Sequence, residues 1–196
     1  DIAGAGTGVV DAADVLGAER VRDGDVVVAM AASGLHSNGY SLVRHVLLAQ
    51  AGWALDRHVD DLGRTLGEEL LVPTRVYAQD CLALIRSVEV HAFSHVTGGG
   101  LAANLERVMP AHLSATLDRT TWTPPAIFGL VGEVGGVERA ELERTLNMGV
   151  GMVALVPADV VDGALALLAE RGVPSWVAGR VGPGDGSVSL TGDHPA

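Results

Sequence analysis

The stretch SGLHSNGYSLVR at residues 33–44 decides how the rest of the chain is interpreted. Before it, the apolar run Val26–Ala31 predicts a buried strand. After it, Tyr40, Val43 and Leu47 recur at helical spacing and predict the inward face of a helix over residues 40–50. The quoted stretch is therefore a turn between a strand and a helix.

The side chains of this turn suit an anion. Ser37 or Asn38 is expected to cap the helix, and Gly34 and Gly39 allow positive φ or close approach of the backbone. Such a turn gathers amide N–H groups, hydroxyls and the imidazole of His36 at the positive end of a helix. The sequence predicts a site for a phosphate or a similar group.

The stretch also resembles the central motif of the phosphoribosylformylglycinamidine cyclo-ligase family, the aminoimidazole ribonucleotide synthetases. Three further stretches agree with that family in order and spacing: LVPTRVY at 71–77, HVTGGG at 95–100 and NMGVGM at 147–152. The resemblance covers residues 1–190 and matches the second half of those enzymes. It implies a C-terminal domain over 1–190 and a tail over 191–196, without the N-terminal ATP-binding domain.

Composition narrows the class of protein. With 196 residues, 48% of them hydrophobic and only 4% aromatic, the chain suits one domain with an aliphatic core. A net charge of −11 argues against nucleic acid or an anionic membrane as a partner. No apolar run approaches the length of a membrane span and no signal sequence opens the chain. We therefore expect a cytoplasmic protein.

Cysteine and histidine give little support for a metal site. Cys81 stands alone, which excludes an internal disulfide, and a buried thiol is the simpler interpretation than a reactive one. His91 and His95 are four residues apart and could share a strand face, but no third ligand lies nearby in sequence. We expect no metal ligands in this part of the chain.

A second glycine turn repeats the logic of the first. The apolar residues 90–96 predict a strand, Thr97 and three glycines follow, and Leu101 and Leu105 begin a helix. Three consecutive glycines are costly in chain entropy, so something must require bare backbone there. We expect a ligand phosphate, with close packing of two backbones as the alternative.

The resemblance assigns the candidate site residues. His36 and His95 each flank a glycine turn and would be polar contacts or proton carriers, although each could equally be a structural histidine. Asn147 could serve the ligand or close a turn, and Gly149 lies where a ligand could approach backbone. The predicted substrate- and phosphate-binding residues are Ser33, Gly34, Ser37, Asn38, Gly39, Thr97, Gly98, Gly99, Gly100, Asn147 and Gly149.

Two positions depart from the family pattern. A lysine usually follows the region of Tyr77, where this chain has Ala78 and Gln79, and the usual aromatic residue before Asn147 is Leu146. Arg75, at a predicted helix start, could meet either a ligand or a structural carboxylate.

Hydrophobic periodicity and the positions of proline and glycine predict the remaining helices and strands. We predict helices over 64–71 and 75–87, a strand over 112–117, a helix after Pro125, an exposed acidic helix over 138–146, and a helix after Pro157. Two strands, 175–181 and 187–190, joined by a turn, close the domain, and residues 191–196 are expected to be disordered. Residues 4–8 suggest a nucleotide loop or, more simply, a glycine-rich first strand ending at Val10.

Alternating strands and helices indicate an α/β or α+β fold with a mixed sheet. The resemblance implies a layered α/β/α domain, partly ferredoxin-like, in an enzyme that dimerises mainly through its other half. It further implies ATP- and Mg²⁺-dependent ring closure of formylglycinamidine ribonucleotide to aminoimidazole ribonucleotide, with the fragment alone inactive. The alternatives are a sister enzyme, such as an amidotransferase, thiamine-phosphate kinase or selenophosphate synthetase, and a non-catalytic binding or dimerisation module.

Overall fold

A computed structural model describes residues 4–195. Its strands are β1 (Val26–Ala31), β2 (His58–Val59), β3 (Arg64–Thr65), β4 (Ala92–His95), β5 (Leu113–Asp118), β6 (Val150–Val156), β7 (Ser175–Pro183) and β8 (Val188–Thr191). Six of them form one sheet in the order β4-β6-β1-β7-β5-β8, while β2 and β3 form a separate hairpin. The neighbours in the large sheet are antiparallel except β5 and β8, which are parallel. The prediction of a mixed sheet is confirmed.

Seven α-helices accompany the strands in the described part of the chain. They are α1 (Tyr40–Val43), α2 (Leu66–Leu70), α3 (Ala78–Ser87), α4 (Gly100–Glu106), α5 (Ala126–Gly135), α6 (Arg139–Thr145) and α7 (Val161–Glu170). The first continues into a π-helical segment, Arg44–Gln50, so the helix predicted over 40–50 is present with a change of pitch. None of the helices within residues 4–195 is long and apolar enough to cross a membrane.

The side chains of β1 alternate between the two faces of the sheet and contribute to the hydrophobic core on each face. Val26, Val28 and Met30 pack on one face of the sheet in a cluster that includes residues of α3 and α7. Val27 and Ala29 face the other side, in a cluster that includes residues of α4. Because successive strand residues point to opposite faces, one buried strand supplies both cores. The predicted α/β/α layering is confirmed.

A third cluster fixes the end of the domain where the first glycine turn lies. Leu35 belongs to it, together with Leu47 of the π-helical segment, Leu66 of α2, Phe128 of α5 and Leu142 of α6. These side chains are almost fully buried. The turn that follows β1 is therefore anchored in a core of its own.

Three local predictions at the start of elements were wrong. The helix after residues 33–39 is not capped by Ser37 or Asn38: its N-cap is Gly39, with a left-handed φ of 77° and no side-chain hydrogen bond. The helix predicted from residue 75 begins at Ala78, and residues 73–75 instead form a loop whose backbone is hydrogen-bonded to the side chain of Ser33. Residues 4–10 are exposed and form no strand, and residues 1–3 lie outside the described part.

The last two strands do not pair with each other. β5 lies between β7 and β8, so the connection at 184–187 carries the chain across the end of β5. Gly184 and Gly186 donate their N–H groups to the carbonyls of His112 and Leu113, which holds the crossing in place. A Cβ at Gly184 would collide with Ser114, so the crossing needs bare backbone.

Residues 191–195 pack against the domain, unlike the disordered tail that the sequence suggested. Thr191 ends β8, and the ring of His194 lies edge-on against Trp122 with 4.7 Å between ring centroids. Nδ1 of His194 lies 3.2 Å from each of two backbone oxygens, those of Arg119 and Trp122. The aromatic contact of His194 and the hydrogen bonds between its side chain and these backbone oxygens hold this segment.

Candidate functional site

The four motifs meet at one edge of the large sheet. β4 and β1 both pair antiparallel with β6, so the carboxyl ends of β4 and β1 lie beside the amino end of β6. The loops at residues 33–39, 96–100 and 147–149 therefore start or end together, and the loop at 72–77 joins them through side chains. Distant parts of the sequence form one candidate site.

The predicted hydroxyl groups bind the neighbouring loop. Ser33 Oγ donates to the carbonyl of Pro73 at 2.7 Å and accepts from the N–H of Arg75 at 3.1 Å. Ser37 Oγ lies 3.0 Å from Thr74 Oγ1. Both serines remain exposed and join the loop at 33–39 to the loop at 72–77. Arg75 itself donates to the carbonyl of Gly172, so its guanidinium has a structural acceptor.

The side chain of Asn147 joins the loop at 33–39 to the loop at 147–149. Its Nδ2 donates to the carbonyl of Gly34 at 2.9 Å, and its Oδ1 accepts from the N–H of Gly149 at 2.8 Å. Asn147 is buried, so both partners come from protein. A Cβ at Gly149 would lie 2.7 Å from Pro125 Cδ. These two predicted ligand contacts are, in this structure, a turn-closing amide and a packing glycine.

The triple-glycine loop is organised by a residue that the sequence reasoning missed. Asn104 Nδ2 donates to the carbonyls of Thr97, Gly98 and Gly100, at 3.2, 3.3 and 2.7 Å. Thr97 Oγ1 donates in turn to Asn104 Oδ1 at 3.0 Å. The signal that could have identified Asn104 is its amide side chain one helical turn after Gly100, at a position that is buried.

The glycines divide into two groups. A Cβ at Gly39 would collide with Leu146, and one at Gly100 would collide with the carbonyl of Glu143, so packing requires both. A Cβ at Gly98 would have only Asn38 Oδ1 within 4 Å, at 3.8 Å. Gly98 is exposed, and Gly99 follows with φ of 102°. Close packing therefore explains Gly39 and Gly100, whereas Gly98 has room for a side chain and its phosphate contact stays a prediction.

Three aromatic rings lie beside the glycine loops. The ring centroids of His36 and Tyr77 are 6.1 Å apart, those of Tyr77 and His95 6.2 Å, and those of His36 and His95 6.5 Å. His36 and Tyr77 are buried, whereas His95 is exposed. Burial, and secondarily the nearby His95, lower the pKa of His36. The two predicted histidines are thus neighbours, and Tyr77 is a third member that sequence reasoning had placed only within a motif.

The other candidate groups are structural. Nδ1 of the buried His91 lies 2.6 Å from a carboxylate oxygen of Asp25, and its Nε2 lies 3.0 Å from Glu89. Burial raises the pKa of the Cys81 thiol to about 11, which makes it a poor nucleophile. Across residues 4–195 no group of three or more histidine, cysteine or acidic side chains is placed to hold a metal ion.

Comparison with known proteins adds the family. The family described as AIR synthase related protein, C-terminal domain, matches residues 22–191. A protein of Streptomyces fradiae, provisionally named phosphoribosylformylglycinamidine cyclo-ligase, is 63% identical over 180 residues, which are 89% of this chain and 99% of that protein. A protein of Anaeromyxobacter sp. (strain Fw109-5) with the same name is 48% identical over 190 residues, 96% of this chain and 55% of its own length.

Solved structures agree on the fold. A thiamine-monophosphate kinase from Stenotrophomonas maltophilia K279a superposes with a TM-score of 0.61 at 21% identity, over 92% of this chain and 54% of that one. The hydrogenase maturation protein HypE of E. coli gives a TM-score of 0.59 at 18% identity, over 91% of this chain and 49% of that one. Apart from the Streptomyces fradiae protein, this chain spans about half the length of these named relatives. Since the family match covers residues 22–191, most of the chain, the chain belongs to the AIR synthase related proteins, as their C-terminal domain.

Proposed function

We propose that this chain is the C-terminal domain of a cytoplasmic phosphoribosylformylglycinamidine cyclo-ligase of purine biosynthesis. The observation that carries the proposal is the meeting of the four cyclo-ligase motifs at one edge of the sheet. The names of the relatives that match along nearly the whole chain support it.

The proposed reaction joins carbon and nitrogen at the expense of ATP. The γ-phosphoryl group of ATP is transferred to the formamide oxygen of formylglycinamidine ribonucleotide, which releases ADP. An amidine nitrogen then attacks the activated carbon, phosphate leaves with that oxygen, and a proton is lost to give aminoimidazole ribonucleotide. Little covalent chemistry falls to the protein, so positioning and charge stabilisation are its main tasks.

We assign the contacts within this domain by exposure. Gly98 and Gly99 would hold a phosphate of the substrate through backbone N–H groups, with Ser37 and Asn38 facing it from the neighbouring loop. His95 would contact the same ligand. The remaining predicted residues would shape the loops: Ser33, Gly34, His36, Gly39, Thr97, Gly100, Asn147 and Gly149.

ATP and Mg²⁺ need groups beyond these. Mg²⁺ prefers several oxygen ligands, and the described residues present no such cluster. We propose that an N-terminal domain, as long as the unmatched part of the Anaeromyxobacter relative, binds the metal and most of the nucleotide and forms the homodimer. On this proposal the chain alone has no cyclisation activity, and turnover by the purified chain would contradict it.

Binding of aminoimidazole ribonucleotide to this chain tests the assignment. Gly98→Val should fold normally, since only Asn38 Oδ1 approaches the new Cβ, and should weaken binding at least tenfold by isothermal titration calorimetry. Gly182→Val is the matched control, because a Cβ there meets nothing within 4 Å and lies far from the loops. A sulfate soak should place density at the Gly98 amide. Equal affinity in wild type and Gly98→Val would overturn the phosphate assignment.

A further inference from the structure

His36, Tyr77 and His95 form a triangle of rings, and two of them, His36 and Tyr77, lie over Gly151 in β6, where the strand has no side chain. A Cβ at Gly151 in β6 would lie 2.6 Å from His36 Cε1 and would collide with the hydroxyl of Tyr77. The rings are therefore seated on bare backbone. Gly151 was not among the predicted site residues, and its conformation does not itself require glycine, because its φ is not positive.

Hydrogen bonding fixes the protonation of His36. The N–H of Ser33 donates to His36 Nε2 at 3.1 Å, so Nε2 carries a lone pair and the proton of the neutral ring is on Nδ1. Nδ1 is buried and finds no hydrogen-bond partner among the described residues. His36 also adopts a φ of 59°, uncommon for a residue with a side chain.

These contacts oppose a proton-transfer role for His36. To accept a proton at Nε2 the ring would have to release the amide of Ser33, which shapes the loop. The lowered pKa that follows from burial acts in the same direction. His95, by contrast, is exposed at the end of β4 and faces the same loops.

Tyr77 connects the two imidazoles to the sheet. Its hydroxyl donates to the carbonyl of Ala31 at 2.7 Å, at the point where β1 ends and the first glycine turn approaches. Burial raises the pKa of Tyr77 far above its ordinary value, so the hydroxyl stays a donor. One fixed ring therefore contacts both histidines and the backbone that precedes residues 33–39.

We propose that Tyr77 and Gly151 are positioning residues that hold His36 as the neutral Nδ1–H tautomer and leave His95 as the imidazole that accepts the proton released from the ligand in the proposed ring closure. The assignment of a ligand rests on the proposed function. The assignment of the tautomer rests on the geometry alone.

Nuclear magnetic resonance of the histidine side chains tests this in the whole chain. In wild type, the ¹⁵N shifts of His36 should show a protonated Nδ1 and an unprotonated Nε2, and the titration midpoint of His36 should lie below the ordinary histidine pKa of 6.5. Tyr77→Phe should raise the titration midpoint of His36 and mix its two tautomers, because the ring loses its anchor on Ala31. Gly151→Ala should displace both rings and produce a larger change of the same kind.

Matched variants separate positioning from general destabilisation. Tyr40→Phe removes the other tyrosine hydroxyl, which donates to the carbonyl of Leu70 at the same 2.7 Å, and should leave the tautomer and the titration midpoint of His36 unchanged. Gly182→Ala adds a methyl group to another strand glycine with nothing within 4 Å and should also leave them unchanged. If Gly151→Ala does not fold, Tyr77→Phe decides.

The outcomes distinguish this inference from the proposed function. An Nε2–H tautomer for His36, or titration curves in Tyr77→Phe that match wild type, would overturn the inference whatever the ligand proves to be. Wild-type shifts as expected, without any effect of added aminoimidazole ribonucleotide on His95, would leave the tautomer and the positioning residues established and would contradict the ligand assignment.

Discussion

Gly98 and Gly100 are two residues apart and serve different purposes. Gly98 is exposed on the loop, whereas Gly100 is buried with φ of 75° against the carbonyl of Glu143. The motif GGG gives the same letter for a glycine with room for a side chain and for a packed glycine. Only the neighbour that a Cβ would meet separates the two.

A substitution at Gly100 is therefore expected to damage the fold. Gly100→Ala forces a side chain into a left-handed conformation and against backbone, and should lower the free energy of unfolding by about 2 kcal/mol or more. Gly98→Ala should change it by less than about 1 kcal/mol. Urea denaturation followed by circular dichroism measures both, and equal losses would show that the whole loop, not Gly100, is packed.

For single residues, the sequence predicted which side chains are polar groups at turns, but it did not predict which groups they hydrogen-bond. His36, Asn147 and Ser33 were recognised as polar groups at turns, which follows from their spacing to glycine. Ser33 binds the loop at 72–77 and Asn147 binds the carbonyl of Gly34, 113 residues away, whereas His36 accepts from the N–H of Ser33 in its own motif. No local pattern encodes such a pairing.

At the level of elements, α6 shows how a correct helix can be misjudged. The sequence suggests a solvated acidic helix in which Arg139 pairs with Glu143. In the structure Arg139 Nε is 3.9 Å from Glu143, while Arg119 binds both carboxylate oxygens of Glu143 at 2.7 and 2.8 Å. Both partners of this second pair are largely buried, so it links α6 to the segment after β5.

Breaking that link should cost stability. Arg119→Met leaves the carboxylate of Glu143 partly buried with weaker partners, and should lower the free energy of unfolding by about 1–3 kcal/mol. A double-mutant cycle with Glu143→Gln measures the coupling. The pair of Arg144 and Glu141 on the same helix is exposed, and Arg144→Met should have no measurable effect. Similar losses at the two arginines would refute the distinction.

The pairing of the last strands could not be predicted from the sequence either. Two strands separated by a glycine-rich turn suggest a hairpin, yet β5 lies between β7 and β8. Alternating Leu113, Ala115 and Leu117 fill the core on the α4 side. The pairing is set by which strands can share that core, a property of the whole sheet.

At the scale of the whole molecule, α3 is apolar on two sides. Leu84 is fully buried under it, while Leu82 and Ile85 remain exposed, as are Leu71 and Val76 just before the helix. Exposed apolar side chains in such number favour association of the isolated chain.

Polar substitution on the outer side of α3 should therefore be harmless to folding. Leu82→Lys combined with Ile85→Gln should change the free energy of unfolding by about 0.5 kcal/mol or less, because neither side chain belongs to the core. The variant should sediment as a smaller species than wild type at high concentration. Leu84→Lys is the control and should unfold the domain. A loss of stability in the double variant would mean that this surface is packed.

The sequence by itself determined most of the helices and most strands of the large sheet, the two glycine turns, the family and most of the polar groups, because hydrophobic periodicity, glycine and proline positions and motif spacing are local properties of the chain. The tertiary structure alone decided that the motif loops meet at one sheet edge, that the rings of His36 and Tyr77 lie against Gly151, and which glycines are packed. The physical reason is that these features depend on contacts between residues far apart in sequence. Such contacts exist only after the sheet has brought the ends of β1, β4 and β6 together.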